Sequence, residues 1–280
     1  MNFKQLEKKV SQTLKKAKIK KSDKILVALS GGKDSTLTAY LLHKLGYKIH
    51  GLYLNLHIGK YSQDCLKAVQ DLCEQLKIPL YIYDIKKEIG SGICYLRTAV
   101  QNSNKGKGLK NCAICGVLKK WILNKEARKL KTKYIATGHN LDDESQTFLI
   151  NILKGSPELS GNIGIISQNS KILEKRKFVP RIKPLFYIPE DLIKKYTKEK
   201  KLPVVYQSCP CALDSYRIQL RNLFKDLSNK EKLNIVKSFE YLNKKIQKTI
   251  STTKKPNICK ICGEPARKEI CKKCELLRNI

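Results

Sequence analysis

The chain has 280 residues, 41% of them hydrophobic, which is enough apolar material for a core and argues against a disordered chain. Lysine and arginine number 57 against 24 acidic residues, and the formal net charge of +33 points to a polyanionic partner, nucleic acid first. No apolar run approaches the ~18 residues of a membrane span, and the start, MNFKQLEKKV, lacks the apolar stretch of a secretory signal, so a soluble cytoplasmic protein with no membrane partner is expected.

Residues 1–21 read as a basic amphipathic helix, with Phe3, Leu6, Val10, Leu14 and Ala17 recurring at spacings of three and four. KILVAL (24–29) reads as a buried strand entering the turn Ser30-Gly31-Gly32. A helix follows from Asp34 to Leu45, closed by Gly46. Residues 48–56 predict a strand, 63–77 a helix and 79–84 a strand. This β-α-β-α-β alternation predicts a doubly wound parallel α/β sheet with helices on both faces.

Residues 101–111 are polar and Gly-containing and read as a loop, with a helix from about Cys115 to Lys131. KYIATG (133–138) is a further strand, and 142–153 a helix opened by two acidic residues. Residues 155–177 read as an irregular insertion, and Pro189 to Lys201 as a helix with proline at its start. After Pro210 the pattern is helical to about residue 250. The expected organisation is a basic helix over 1–21, an α/β domain over 22–210, a helical segment over 211–250 and a Cys-rich module over 251–280, joined by the polar linker STTKKPN.

The turn Leu29-Ser30-Gly31-Gly32-Lys33-Asp34-Ser35 lies between a strand and a helix N-terminus. Two glycines let the backbone approach an anion, the serines add hydroxyls, and the helix dipole favours phosphate. Ser30, Gly31, Gly32, Lys33, Asp34 and Ser35 are therefore the candidate phosphate site. The spacing is not the G-x-x-x-x-G-K-[ST] of P-loop NTPases.

The odd count of 11 cysteines argues against a secreted disulfide framework and suits metal ligation in a reducing compartment. Cys259, Cys262, Cys271 and Cys274 have the C-x2-C-x8-C-x2-C spacing of two knuckles sharing one tetrahedral Zn2+, with Gly263 permitting the tight turn. Four thiolates close such a site, so its role is structural, and metal would be its main folding term. Its Lys and Arg residues are also placed to touch RNA. Cys112 and Cys115 form another C-x-x-C, for which Cys209 and Cys211 could complete the ligands. Softness alone does not choose between zinc and iron–sulfur, and a redox pair or buried thiols are further readings.

The loop SGGKDS resembles the pyrophosphate loop of the PP-loop ATP pyrophosphatases, whose fold is that of the adenine nucleotide alpha hydrolases and whose members adenylate their substrates. In order after it come CAICGVLKKW, ATGHNLDDE, RIKPL with Pro189-Glu190, and SCPCALDSYRIQLRN. This series, over about residues 24–225, resembles the tRNA 2-thiolation enzymes of the TtcA/TtuA family, nearest the TtuA branch and its cytosolic wobble-uridine relatives. The resemblance implies ATP and Mg2+ as cofactors and tRNA as substrate. It implies a [4Fe–4S] cluster on Cys112, Cys115 and Cys209, with one iron left for sulfide. It also implies catalytic roles for Asp34, Lys119 and Asp143: Lys119 to stabilise phosphate charge, Asp143 to hold Mg2+ or orient the reacting group. Gly138 would lie against the nucleotide. Without the motif, Lys119 is one more solvated lysine, Asp142 and Asp143 are helix caps, and His139 is a structural histidine left outside the catalytic set.

The implied activity is ATP-dependent transfer of sulfur to C2 of a tRNA pyrimidine, most simply uridine. The sulfur would arrive on a ubiquitin-like carrier with a C-terminal thiocarboxylate, and a homodimer is compatible with this reading. The family's Cys-Pro-Tyr is here Cys209-Pro210-Cys211, and Cys211 is open to reading as a fourth ligand, a sulfur relay or a buried thiol. TtuA-type proteins usually carry zinc ribbons at both ends, whereas here a basic helix stands before the loop. Two other functions fit parts of the sequence. A cluster-independent ligase of the lysidine-synthetase type sets aside the three middle cysteines. A non-enzymatic zinc-ribbon RNA-binding protein sets aside SGGKDS and GHNLDD.

Overall fold

The first strand shows why the sheet is central. In β1 (Ile25–Leu29), Ile25, Val27 and Leu29 enter the core on one face, while Leu26 enters a second core on the other and Ala28 packs against it. The two-residue side-chain period makes a continuous apolar run bury both faces, so helices must cover both. The fold comes from a computed structural model that describes residues 2–104, 106–156, 159–160, 164–167, 177–212, 216–249 and 257–278.

The strands β2 (Ile49–Asn55), β3 (Leu80–Asp84), β4 (Tyr134–Ala136), β5 (Ile166–Ser167) and β6 (Arg181–Ile182) join β1 in the order β3-β2-β1-β4-β6-β5. All neighbours are parallel except β5, which runs antiparallel to β6 at the edge. The chain moves outward from β1 to β2 and β3, then returns to place β4 on the other side of β1. The loops after β1 and β4 therefore diverge, leaving a crevice at their C-terminal ends.

The first face is covered by α1 (Phe3–Lys16), α2 (Lys33–Lys44), α3 (Gly59–Gln75) and α8 (Glu190–Glu199). A reciprocal capping box between Asn2 and Gln5 starts α1, whose Leu6, Val10 and Leu14 are fully buried in the same core as β1. The opposite face is covered by α4 (Ile85–Ile89), α5 (Ile93–Asn102) and α6 (Asn111–Lys129), through Ile85, Ile93, Leu96, Leu118 and Ile122. The helix α7 (Leu141–Leu153) follows β4. It is held by α9 (Tyr216–Leu223) and α10 (Asn229–Thr249), with the Phe148 and Phe239 rings 4.5 Å apart. Among the described residues no helix is long and apolar enough to cross a membrane.

Three local expectations shift. The loop expected over 101–111 is shorter, because α5 runs to Asn102 and α6 begins at Asn111, so Cys112 and Cys115 sit at the N-terminal end of α6, within its first two turns. The stretch expected to be helical from Pro210 to about residue 250 is two helices with a break between Leu223 and Asn229. In the expected irregular insertion 155–177, Ile166 and Ser167 form the antiparallel edge strand, while 157–158, 161–163 and 168–176 lie outside the described residues. Linker residues 251–256 lie outside them too.

Candidate active site

The crevice holds a cleft of about 220 Å3 lined by Ala28, Ser30, Asp34, Ser35, Gly138, His139 and Asp143. It joins the turn after β1 to the loop after β4. The Ser35 hydroxyl accepts from the Ser30 N–H at 3.1 Å and donates to the Gly32 carbonyl at 3.0 Å, folding the turn over the start of α2. The two glycines have different jobs. Gly31 has φ +77°, and a Cβ there would stand 2.8 Å from the Cys65 Cα, so glycine is required by the fold. Gly32 caps α2 in an extended conformation, and a Cβ there would meet only the Ser30 Oγ at 3.5 Å. Its bareness leaves room for something outside the chain. Gly138 packs tightly against the turn: a Cβ would stand 2.7 Å from the Asp34 carbonyl carbon and the Ser35 nitrogen. These bare positions and the N-terminus of α2 suit phosphate oxygens.

Asp34 and Asp143 face the cleft from opposite sides, and Asn140 links them. The Asn140 side-chain amide donates to Asp34 Oδ1 at 2.9 Å, and its carbonyl oxygen accepts from the Asp143 N–H at 3.0 Å. Burial pushes the Asp34 carboxyl above the usual carboxylate range, and the charge of Asp143 adds to this, against the opposing pull of Lys33 and Asn140. The Lys33 ammonium is engaged by Asp34 Oδ2 at 2.9 Å and Glu190 Oε1 at 2.6 Å. Burial lowers the Lys33 pKa, but the two carboxylates outweigh it and hold the group above its ordinary value. Asp142 is a clasp: it accepts from the Glu190 N–H at 2.8 Å and pairs with Lys232 at 2.8 Å. His139 bonds to the Thr137 hydroxyl at 2.9 Å and also lines the cleft.

The middle thiols stand beside this cleft. The Val205 N–H donates to the Gly31 carbonyl at 2.9 Å, tying the segment that leads to Cys209 onto the phosphate turn. Cys112 is exposed, and Cys115, Cys209 and Cys211 are half-buried. Burial pushes the Cys209 thiol up, the Cys211 backbone N–H pulls it down, and Cys211, Lys119 and Cys115 lie close enough for their charges to act on it. Lys119 lies near enough to Cys209 and Cys65 for its charge to act on both thiols. Three residues next to the site carried no motif in the sequence: Cys65, whose backbone packs on Gly31, and Cys94 and Arg97 on α5, close to Cys211; Asn140, which holds Asp34, stands inside GHNLDD but was not singled out there. Only the Asn140 role had a readable signal, as the cap ahead of the two acidic residues.

The C-terminal module is a hairpin, β7 (Asn257–Ile258) and β8 (Pro265–Ala266), followed by α11 (Lys272–Leu277). Gly263 turns the first knuckle at φ +67°. The Cys262 and Cys271 sulfurs are 3.6 Å apart, close to the ~3.8 Å edge of a tetrahedron with ~2.3 Å Zn–S bonds. The Cys271 N–H donates to the Cys259 sulfur at 3.2 Å and the Cys274 N–H to the Cys271 sulfur at 3.4 Å. Burial raises the Cys259 thiol pKa, but N–H donors from Cys271, Cys262 and Ile261 outweigh it and bring the group down to about 6. The module docks on α6: Glu264 pairs with Arg128 and accepts from Asn124, and Leu276 is buried against Ile114, between the two α6 cysteines. Among the described residues this is the one set in which three or more such ligand atoms lie within 4.8 Å of one another.

A doubly wound sheet with a phosphate-shaped glycine turn at its switch point defines a PP-loop nucleotide-binding protein. Residues 2–227 match the PP-loop domain family. The chain belongs to that family, within its TtcA/TtuA group of tRNA 2-thiolation proteins. It is 34% identical over 273 residues to the tRNA-5-methyluridine(54) 2-sulfurtransferase of Pyrococcus horikoshii, covering 96% of this chain and 83% of that relative. It is 30% identical over 287 residues to cytoplasmic tRNA 2-thiolation protein 1 of Drosophila erecta, covering 99% and 80%. The solved structure of the U34-tRNA thiolase NcsA from Methanococcus maripaludis, with its [4Fe–4S] cluster, superposes with a TM-score of 0.77 at 29% identity, over 99% of this chain and 87% of that one.

Proposed function

We propose that this protein is a cytoplasmic, ATP-dependent tRNA sulfurtransferase that converts C2 of a uridine to the 2-thio form. The observation that carries the reading is the shared wall of the two half-sites: Gly31 of the phosphate turn packs on Cys65 and bonds to the segment leading to Cys209. Activation at one half-site and sulfur at the other can meet at one base.

Ser30, Gly31, Gly32 and Ser35 hold the phosphates of ATP, with Lys33 steadying Asp34 and Gly138 keeping the nucleotide wall thin. Asp34 and Asp143 face each other across the cleft and are placed to hold Mg2+. The C2 oxygen of the base attacks the α-phosphorus, pyrophosphate leaves, and sulfur then displaces AMP from C2. Lys119 offsets negative charge on the thiol side as sulfur approaches. Cys112, Cys115 and Cys209 are the thiolates for a [4Fe–4S] group, which when bound supplies an iron position for a sulfur ligand. Cys259, Cys262, Cys271 and Cys274 hold a structural Zn2+. The base must leave its stack to reach the crevice, and the +33 charge supplies the phosphate contacts. A ubiquitin-like thiocarboxylate carrier is the proposed sulfur source, and a homodimer the proposed assembly.

The test is mass spectrometry of tRNA nucleosides from a deletion strain, complemented with the wild type or with Gly32→Val. The reading expects a 2-thiouridine derivative to vanish on deletion and return only with the wild type. Full restoration by Gly32→Val, or an unchanged nucleoside profile on deletion, would overturn it.

A further inference from the structure

A second cavity adjoins the segment that carries Glu190. It measures about 410 Å3, larger than the catalytic cleft, and lies between α1, α10 and Tyr187. Lys9 and Lys16, two turns apart on one face of α1, form one wall, and Leu233, Lys237 and Glu240 of α10 form the other. Tyr187, 9% exposed, is the floor. The Lys9 Nζ stands 5.0 Å and the Lys16 Nζ 5.3 Å from its ring centroid. The acidic side chain in this lining is already engaged: Glu240 accepts from the Tyr187 hydroxyl at 2.6 Å and pairs with Lys16 at 3.3 Å. Lys16 also donates to the Tyr187 hydroxyl at 2.8 Å. Among the described residues no carboxylate pairs with Lys9 or Lys237, so the two walls carry positive charge that the protein does not neutralise.

Three short links tie this cavity to the catalytic cleft. Lys232, next to Leu233, pairs with Asp142 at 2.8 Å, and the following residue, Asp143, lines the cleft. The Leu141 N–H donates at 3.0 Å to the carbonyl of Ile188, the residue after Tyr187. Glu190, three residues from Tyr187 and so no more than about 11 Å along the chain, holds Lys33 of the phosphate turn.

We propose that this cavity docks the sugar–phosphate backbone of the substrate RNA, gripped by Lys9 and Lys237 from two sides while the base to be thiolated enters the neighbouring cleft. The proposal rests on the thiolase reading and locates where the tRNA is held. Lys16 is the fixed member: it braces Glu240 and the Tyr187 floor and cancels the one negative charge of the lining, which leaves Lys9 and Lys237 for phosphate oxygens. Lysine ammoniums bind phosphate as compact point charges and read no base edge, so the site sets the position of the RNA and not its sequence. The net charge of +33 favours the same class of partner.

The test uses the full-length protein and an unmodified tRNA transcript. The double variant Lys9→Gln/Lys237→Gln keeps both side chains polar and leaves the Lys16–Tyr187–Glu240 network in place. It is expected to weaken tRNA binding at least ~10-fold near ~0.1 M salt and to lower the slope of log Kd against log salt by about 2. The control Lys48→Gln/Lys77→Gln makes the same charge change at exposed residues just before β2 and β3, at the strand ends away from the cleft, and should bind within ~2-fold of the wild type. Lysine acetylation of the wild type, read by peptide mass spectrometry, is independent of how any variant folds: tRNA should protect Lys9 and Lys237 and leave Lys48 and Lys77 as reactive as in the free protein. A wild type that binds no tRNA would overturn the thiolase reading and this site together. A wild type that binds and thiolates tRNA, beside a Lys9→Gln/Lys237→Gln variant with the same Kd and salt slope, would overturn the docking site alone. Protection of Lys9 and Lys237 by inorganic phosphate but not by tRNA would also overturn it, in favour of a small-anion pocket.

Discussion

The two cysteine groups of this protein are built by opposite means. The C-terminal four lie within 16 residues, Cys259 to Cys274, and the knuckle turns alone bring the Cys262 and Cys271 sulfurs to 3.6 Å. The middle group depends on the whole fold: α6 supplies Cys112 and Cys115, and the segment after α8 supplies Cys209, fastened to the phosphate turn by the backbone hydrogen bond from Val205 to Gly31. A closed local knot of thiolates is suited to structure. A half-exposed set assembled beside a nucleotide cleft is suited to chemistry, because its geometry can depend on what occupies the neighbouring site.

The largest expected effect contrasts the two groups directly. Cys259→Ala should remove the zinc, worth on the order of 10 kcal/mol of binding energy, and unfold the module, seen as loss of bound zinc and rapid proteolysis near residue 257. Cys209→Ala should leave the unfolding midpoint nearly unchanged and cut thiolation at least ~100-fold. Equal thermal destabilisation by the two substitutions would erase the distinction.

Next in size is the interface between the groups. Leu276 is 2% exposed and packs on Ile114, so Leu276→Ala should cost about 2–5 kcal/mol locally. Amide exchange in the first turn of α6 should then rise, and alkylation of Cys115 should quicken. Unaltered exchange there would mean that the module does not support the cysteines of α6.

The glycine pair gives a further contrast. Gly31→Val places a branched side chain at φ +77° against the Cys65 backbone and should lower stability by several kcal/mol, whereas Gly32→Val should fold and lose ATP–pyrophosphate exchange. Equal melting temperatures for the two variants would contradict the assigned roles.

Legibility followed the same divide. The C-terminal module and the phosphate turn were readable because their function is encoded in spacing over a few residues. The central strands were readable because their apolar runs are buried on both faces. Other features depend on contacts between elements distant in sequence. Nothing around Cys94 or Arg97 announces that α5 delivers them to Cys211. The motif marks Lys119 for the site, but its nearness to Cys209 and Cys65 follows from how α6 packs. α6 starts ahead of the position its sequence pattern predicts, because Lys110 caps it through backbone conformation, with no side-chain cap bond to mark the boundary. The two-residue edge strand β5 carries too little pattern to be seen at all.

The smallest effect concerns pH. The raised Asp34 carboxyl means that the folded state holds this proton more tightly than the unfolded chain. Its contribution to stability is therefore fully present below the unfolded pKa and lost as pH rises through the folded one. Asp34→Asn should raise the unfolding midpoint at pH 7, flatten the stability profile from the ordinary carboxylate range upward, and abolish ATP–pyrophosphate exchange. An unfolding midpoint lower than the wild type's at pH 7 would contradict the sign of that shift.

The central claim is that the middle thiols hold an open cluster beside the ATP cleft while the C-terminal thiols hold a closed zinc. Metal analysis of anaerobically purified protein, read together with tRNA thiolation activity, tests it most directly. The account predicts brown protein with about four irons and about one zinc per chain, with the iron alone lost in Cys209→Ala. Colourless, fully active protein carrying about two zincs per chain would contradict it.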